Sequence, residues 1–132
     1  MSEPEPSEDV RRFLSEHVAT YEELEVLLHL VRHADSSWSV RSLARQLDLP
    51  VENCESALIT LHEHGLLHKD DSGFRFDPAE DWLATQAREL ESTYRRQRFT
   101  VVEMMSKNAV ERMRSAALRT FAQAFRMRGP KK

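Results

Sequence analysis

At 132 residues, with 31% charged and 40% hydrophobic side chains, the chain has room for one ordinary domain or a small domain with a helical arm, and two catalytic domains are excluded. Its apolar runs, such as Val26-Leu27-Leu28, fall far short of the roughly 18 residues of a membrane span. The acidic N-terminus lacks the basic-then-apolar order of a secretory signal, so a cytoplasmic protein with no membrane contact is expected. The single cysteine, Cys54, excludes an internal disulfide and any cysteine-rich metal cluster.

Glycine and proline punctuate the chain. Residues 1–7, with Pro4 and Pro6, are expected to be a disordered tail. A first helix covers Glu8 to His17, with Val10, Phe13 and Leu14 on one side. A second begins at Thr20, whose hydroxyl and Glu23 form a capping box, and presents Leu24, Leu27, Leu28 and Val31. A third runs from Ser39 to about Leu47 through Val40, Leu43 and Ala44. The fourth runs from Pro50 to His64 and should end at Gly65, which accepts a left-handed cap.

Leu66 to Lys69 and Phe74 to Phe76, around the polar turn Asp70-Asp71-Ser72-Gly73, predict a β-hairpin. Asp77-Pro78-Ala79-Glu80 is a helix start, predicting a helix to about Lys107. Asn108 and Glu111 then read as the cap of a last helix reaching Arg128, before a basic tail at 129–132. The predicted fold class is mainly α with a small β-hairpin.

Helix, short helix, turn, helix and hairpin, with the stretch from Trp38 through Leu-Ala-Arg-Gln-Leu at 43–47 to Gly-Leu-Leu at 65–67, resembles the MarR-like and ArsR-like winged helix-turn-helix transcriptional regulators of bacteria. The resemblance covers about residues 20 to 77. It implies that Trp38 ends a short first strand, that Ser39 to Leu47 is the supporting helix, Pro50 to His64 the recognition helix and Gly65 to Phe76 the wing. The domains expected are then a winged helix-turn-helix over 8–77 and two C-terminal helices forming a dimerisation arm over 78–128. A four-helix bundle with a loop at 65–77 is the plainer reading of the same pattern.

A recognition helix reads bases with cationic or amide side chains and meets phosphates with cations. Here Cys54, Ala57, Leu58 and Leu61 share an apolar arc, and the opposite face carries Glu52, Glu55, Ser56, Ile59, Thr60 and Glu63, with Asn53 at its margin. Asn53, Ser56 and Thr60 are candidates for bases; Arg41, Arg45, Lys69 and Arg75 are candidates for phosphates. Three carboxylates on that face oppose DNA electrostatically. The alternative is therefore a protein-interaction module in which Glu52, Glu55, Ile59 and Glu63 dock a basic partner and no DNA is bound.

Residues 1–87 hold seven Lys/Arg against eighteen Asp/Glu, and residues 88–132 hold twelve against four, so two opposed halves lie behind a formal net charge of −3. The halves attract each other, or the basic arm meets an acidic partner or nucleic acid, densest at Arg95, Arg96 and Arg98. Leu83, Ala87, Leu90, Tyr94, Gln97, Val101 and Met104 recur as a heptad seam. Val110, Met113, Ala117, Leu118, Phe121, Ala124 and Phe125 form a second apolar face. Either the two helices fold back on each other or they pair with a second subunit. A homodimer through this arm is expected, with Leu83, Ala87, Leu90, Tyr94, Val101, Met104, Phe121 and Phe125 in the contact.

No phosphate loop, nucleophile elbow or His-Glu-x-x-His occurs, so no enzyme activity and no cofactor are expected. His29 and His33 have a metal-compatible spacing and His62, His64 and His68 cluster near the wing, but packed or solvated histidines are the expectation, with no metal bound. A small-molecule sensor would need a pocket between domain and arm, with Trp82, Tyr94 and Phe121 as candidate lining.

Overall fold

The computed structural model describes residues 6–128. It is mainly helical, with elements α1 (Glu8–His17), α2 (Tyr21–Arg32), α3 (Val40–Leu47), α4 (Val51–Glu63), β1 (Leu67–Asp70), β2 (Gly73–Phe76), α5 (Asp81–Arg96) and α6 (Arg98–Arg128). No described helix is long and apolar enough to cross a membrane.

Local chemistry starts most of these elements. Ser7 caps α1 by accepting from the Val10 amide at 3.2 Å, and its hydroxyl donates to Glu89 at 2.6 Å. Pro6 is buried, so the fold begins before Glu8, whereas residues 1–5 and 129–132 lie outside the described residues. Thr20 and Glu23 form the complete capping box of α2: Thr20 Oγ1 accepts from the Glu23 amide at 3.1 Å, and the Glu23 carboxylate accepts from the Thr20 amide at 3.4 Å and from the Ala19 amide at 2.7 Å.

Helix α2 is the centre of the molecule. Leu24, Val26, Leu27, Leu28 and Leu30 are all fully buried, beyond the single stripe its spacing predicts, because α4 and α5 both pack against it with further contact from α3 and β2. Helix α1 contributes Val10, Phe13 and Leu14, also fully buried, and lies against α5 and α6. Each such large side chain contributes about 1.5–3 kcal/mol of transfer free energy.

Between α3 and α4 the chain turns through Asp48, in the left-handed region at φ 56° and ψ 48°. The hairpin is antiparallel with Leu67 opposite Phe76 and Lys69 opposite Phe74. A separate antiparallel bridge joins Trp38 to Phe74: the Trp38 amide donates to Phe74 O at 2.8 Å and the Phe74 amide returns to Trp38 O at 2.9 Å. Gly73 is required there, since a Cβ would overlap the Trp38 carbonyl and its φ is +119°.

The C-terminal helices differ from the sequence expectation. Pro78 lies in the turn before α5, which starts at Asp81 with no side-chain cap, and the Ala79 amide is tied back to Gly65 O at 2.9 Å. The expected helix to Lys107 is broken at Gln97 (φ −137°, ψ 54°). The expected start at Asn108 does not occur, and α6 runs through it, because neither glycine nor proline interrupts residues 98–128. The break turns Val101, Met104 and Met105 onto the body, where all three are buried.

Leu83, Ala87, Leu90, Tyr94, Val101 and Met104 therefore have a partner within the chain. They are buried, α5 packing on α1 and α2 and α6 packing on α1 and α5, and are not an open seam for a second copy. Phe121 and Phe125 are different, at 69% and 72% exposure, their rings stacked at 6.0 Å on the distal part of α6. At about 100° per residue, Val110, Met113, Phe121 and Phe125 lie on the side of α6 opposite to Val101, Met104 and Met105. The distal apolar face thus points away from the chain's own core.

Candidate nucleic-acid interface

Helix α4 has one buried face, Cys54, Ala57, Leu58 and Leu61, and one exposed face. Glu52, Asn53, Glu55, Ser56 and Glu63 are exposed, Ile59 is 48% exposed and Thr60 is half-buried. The division follows the sequence period, because three- and four-residue steps place side chains on one side of a helix.

Arg41 and Arg45 are exposed four residues apart on α3, held by a helix whose N-cap, Ser39, accepts from the Ser42 amide at 3.1 Å. Lys69 on β1 is exposed and stands over the Phe74 ring at 5.4 Å. Arg75 on β2 is occupied locally, donating to Asp70 at 3.3 Å and Asp77 at 3.4 Å. Its charge is thus partly neutralised, and Arg41, Arg45 and Lys69 are the better-disposed cations around α4.

Cys54 is fully buried with Sγ 3.7 Å from Val40 O, and burial pushes its thiol up to about 11. It is a packed small side chain, essentially without thiolate at neutral pH.

The histidines are distributed differently from their sequence clusters. His64 pairs with His17, Nδ1 to Nδ1 at 2.9 Å, joining the end of α1 to the end of α4. Such a bond needs one protonated and one bare nitrogen. Burial first, and the neighbouring His64 second, hold His17 below its ordinary value. No periodicity could have revealed a pair 47 positions apart.

The His29 and His33 rings lie 4.4 Å apart, tilted by 40°, with Trp38 edge-on to His29 at 4.7 Å. His29 is buried and its Nε2 finds no hydrogen-bond partner among the described residues; burial, then His33 and Arg32, lower its pKa. Among the described residues no three His, Cys, Asp or Glu side chains gather as a metal site.

The pocket imagined between Trp82, Tyr94 and Phe121 does not form. Trp82 and Tyr94 are twelve positions apart on α5, about 18 Å along the axis at 1.5 Å per residue. Trp82 is exposed, Tyr94 is buried and Phe121 lies exposed on distal α6. Where α2 and α5 meet, Val31, Arg32, Arg88, Glu91, Ser92 and Arg95 instead line a groove of about 540 Å³. Glu91 and Arg95 are a readable i,i+4 pair, but the link to Arg32, 59 positions away, needed the fold. Comparison of the chain with protein-family models, curated proteins and solved structures finds no match.

Proposed function

We propose that residues 20–77 form a winged helix-turn-helix, and that the protein is a cytoplasmic transcriptional regulator that binds DNA as a homodimer. The observation that carries this reading is the Trp38–Phe74 bridge. It adds a third, single-residue strand to the hairpin and sets α3, the Asp48 turn and α4 between strand and wing, the order of the regulators the sequence resembles. Helix α4 is the reader, with Asn53 and Ser56 exposed toward bases and Thr60 deeper, while Arg41, Arg45 and Lys69 meet phosphates. The distal face of α6 joins the two copies, because Phe121 and Phe125 point away from their own body and a single helix leaves them in water.

The test is fluorescence anisotropy of the full chain with a labelled duplex across several salt concentrations. Binding that weakens steeply with salt is expected, with Arg41→Ala and Arg45→Ala each lowering the slope of log affinity against log salt by about 1.

A second reading has its own observation. Glu52, Glu55 and Glu63 are exposed around Ile59 with no cation on the α4 face, which suits a basic protein partner better than phosphates. Absence of duplex binding at low salt would replace the DNA reading with this one. Glu52→Lys would then abolish partner binding, whereas under the DNA reading the same change strengthens duplex binding.

A further inference from the structure

The groove between α2 and α5 has the chemistry of an anion site. Arg88, Ser92 and Arg95 follow one another by four and three residues along one face of α5, and Arg32 reaches in from the last turn of α2. Glu91 lies among them at 5% exposure. Arg95 donates to it twice, from Nε at 2.9 Å and from a terminal nitrogen at 2.6 Å, and Arg32 donates from Nε at 2.9 Å.

One buried carboxylate thus orients two guanidinium groups from different helices while leaving further N–H donors on each. Burial opposes ionisation of Glu91, but hydrogen bonds from Arg95 and Arg32 outweigh it and hold the carboxyl below its ordinary range. Arg88 is outside these pairs, with its guanidinium 5.9 Å from the Phe76 ring centre.

Three arginines against one glutamate leave the lining with two excess positive charges, the complement of a dianion. Forked donors suit the terminal oxygens of a phosphate, Ser92 adds a hydroxyl, and Val31 supplies an apolar wall. The volume falls in the range of small-molecule sites, about 300–1,000 Å³. A duplex backbone needs a row of cations along its path, whereas these three arginines converge on one groove.

We infer that the groove between α2 and α5 is a binding site for a small dianionic ligand carrying a phosphate group, of the phosphomonoester class, held by Arg32, Arg88 and Arg95 with Ser92. This site is independent of the reading of α4, so loss of duplex binding in Arg41→Ala neither supports nor weakens it.

The test is an amide NMR titration of the full chain with inorganic phosphate and, separately, adenosine monophosphate, at constant ionic strength. Saturable shifts confined to Val31, Arg32, Arg88, Ser92 and Arg95 are expected with either probe. Arg88→Gln, which spares the Glu91 pairs, should weaken binding at least tenfold, as should Ser92→Asp, which places a carboxylate in the groove. Arg119→Gln, on distal α6, should change nothing. Absence of saturable shifts with both probes overturns the proposal, and so does equal weakening by Arg119→Gln, which would mark diffuse charge attraction. Shifts at these residues with a duplex alone would assign the groove to nucleic acid and also overturn it.

Discussion

Replacing Gly73 by alanine tests the join between Trp38 and the hairpin. Two costs add there. A φ of +119° is unfavourable for any residue with a Cβ, at about 1–3 kcal/mol. The new methyl also overlaps the Trp38 carbonyl, which is backbone and cannot swing aside, so the two Trp38–Phe74 hydrogen bonds are forced apart. Their net value is about 1 kcal/mol each, for a total near 3–5 kcal/mol. Gly65→Ala is the matched control: φ is +80°, but the nearest atom to an added Cβ is Leu83 Cδ1 at 3.9 Å. Only the backbone term remains, about 1–2 kcal/mol. In calorimetry each kcal/mol moves Tm by about 3–5 °C at this chain length, so the Tm of Gly73→Ala should fall at least about one and a half times as far as that of Gly65→Ala. Equal Tm losses would refute the reasoning and remove the bridge as the element holding strand and hairpin together.

Acid should weaken the fold before its carboxylates titrate. His17 and His29 are both held below the ordinary histidine value of 6.5, so the unfolded chain binds more protons and the stability present above that value is lost as the pH falls through the shifted range. The urea midpoint should therefore drop between about pH 7.5 and pH 5.5, and His17→Gln with His29→Gln should flatten the dependence; an unchanged midpoint in the wild type would contradict it. On α6, Phe121→Asp with Phe125→Asp should convert a dimeric mass to a monomeric one in light scattering while leaving the far-UV helical signal of the monomer intact, since neither ring is part of the core. An unaltered dimer would place the interface elsewhere. Alkylation of Cys54 by iodoacetamide should be slow in buffer and fast in urea, because burial both covers the thiol and suppresses its thiolate; equal rates would show that α4 opens readily.

How far each feature could be read in advance depended on the distance over which its cause acts. Thr20 with Glu23, Ser39 before α3, the glycine after α4 and the turn at Asp71-Ser72 are local chemistry, so helices α1 to α4 and the hairpin lie close to where their residues place them. The acidic character of α4 was equally legible, because a helix face is a matter of spacing alone.

The seam from Leu83 to Met104 shows the limit. Its period correctly marks an apolar face, but periodicity does not say what covers it, and α1 and α2 of the same chain do so. The break at Gln97 has no glycine or proline to announce it and exists because Val101, Met104 and Met105 gain burial by turning inward. The same holds for the polar clusters. His17 with His64, Trp38 with Phe74, and Arg32 with Glu91 and Arg95 each join residues dozens of positions apart. The sequence by itself determined helices α1 to α4, the Thr20–Glu23 cap, the hairpin and the charge of each face. Tertiary packing alone decided which faces are satisfied within the chain, which stay exposed, and where separated cations converge, because those outcomes depend on side chains brought together only when the helices dock.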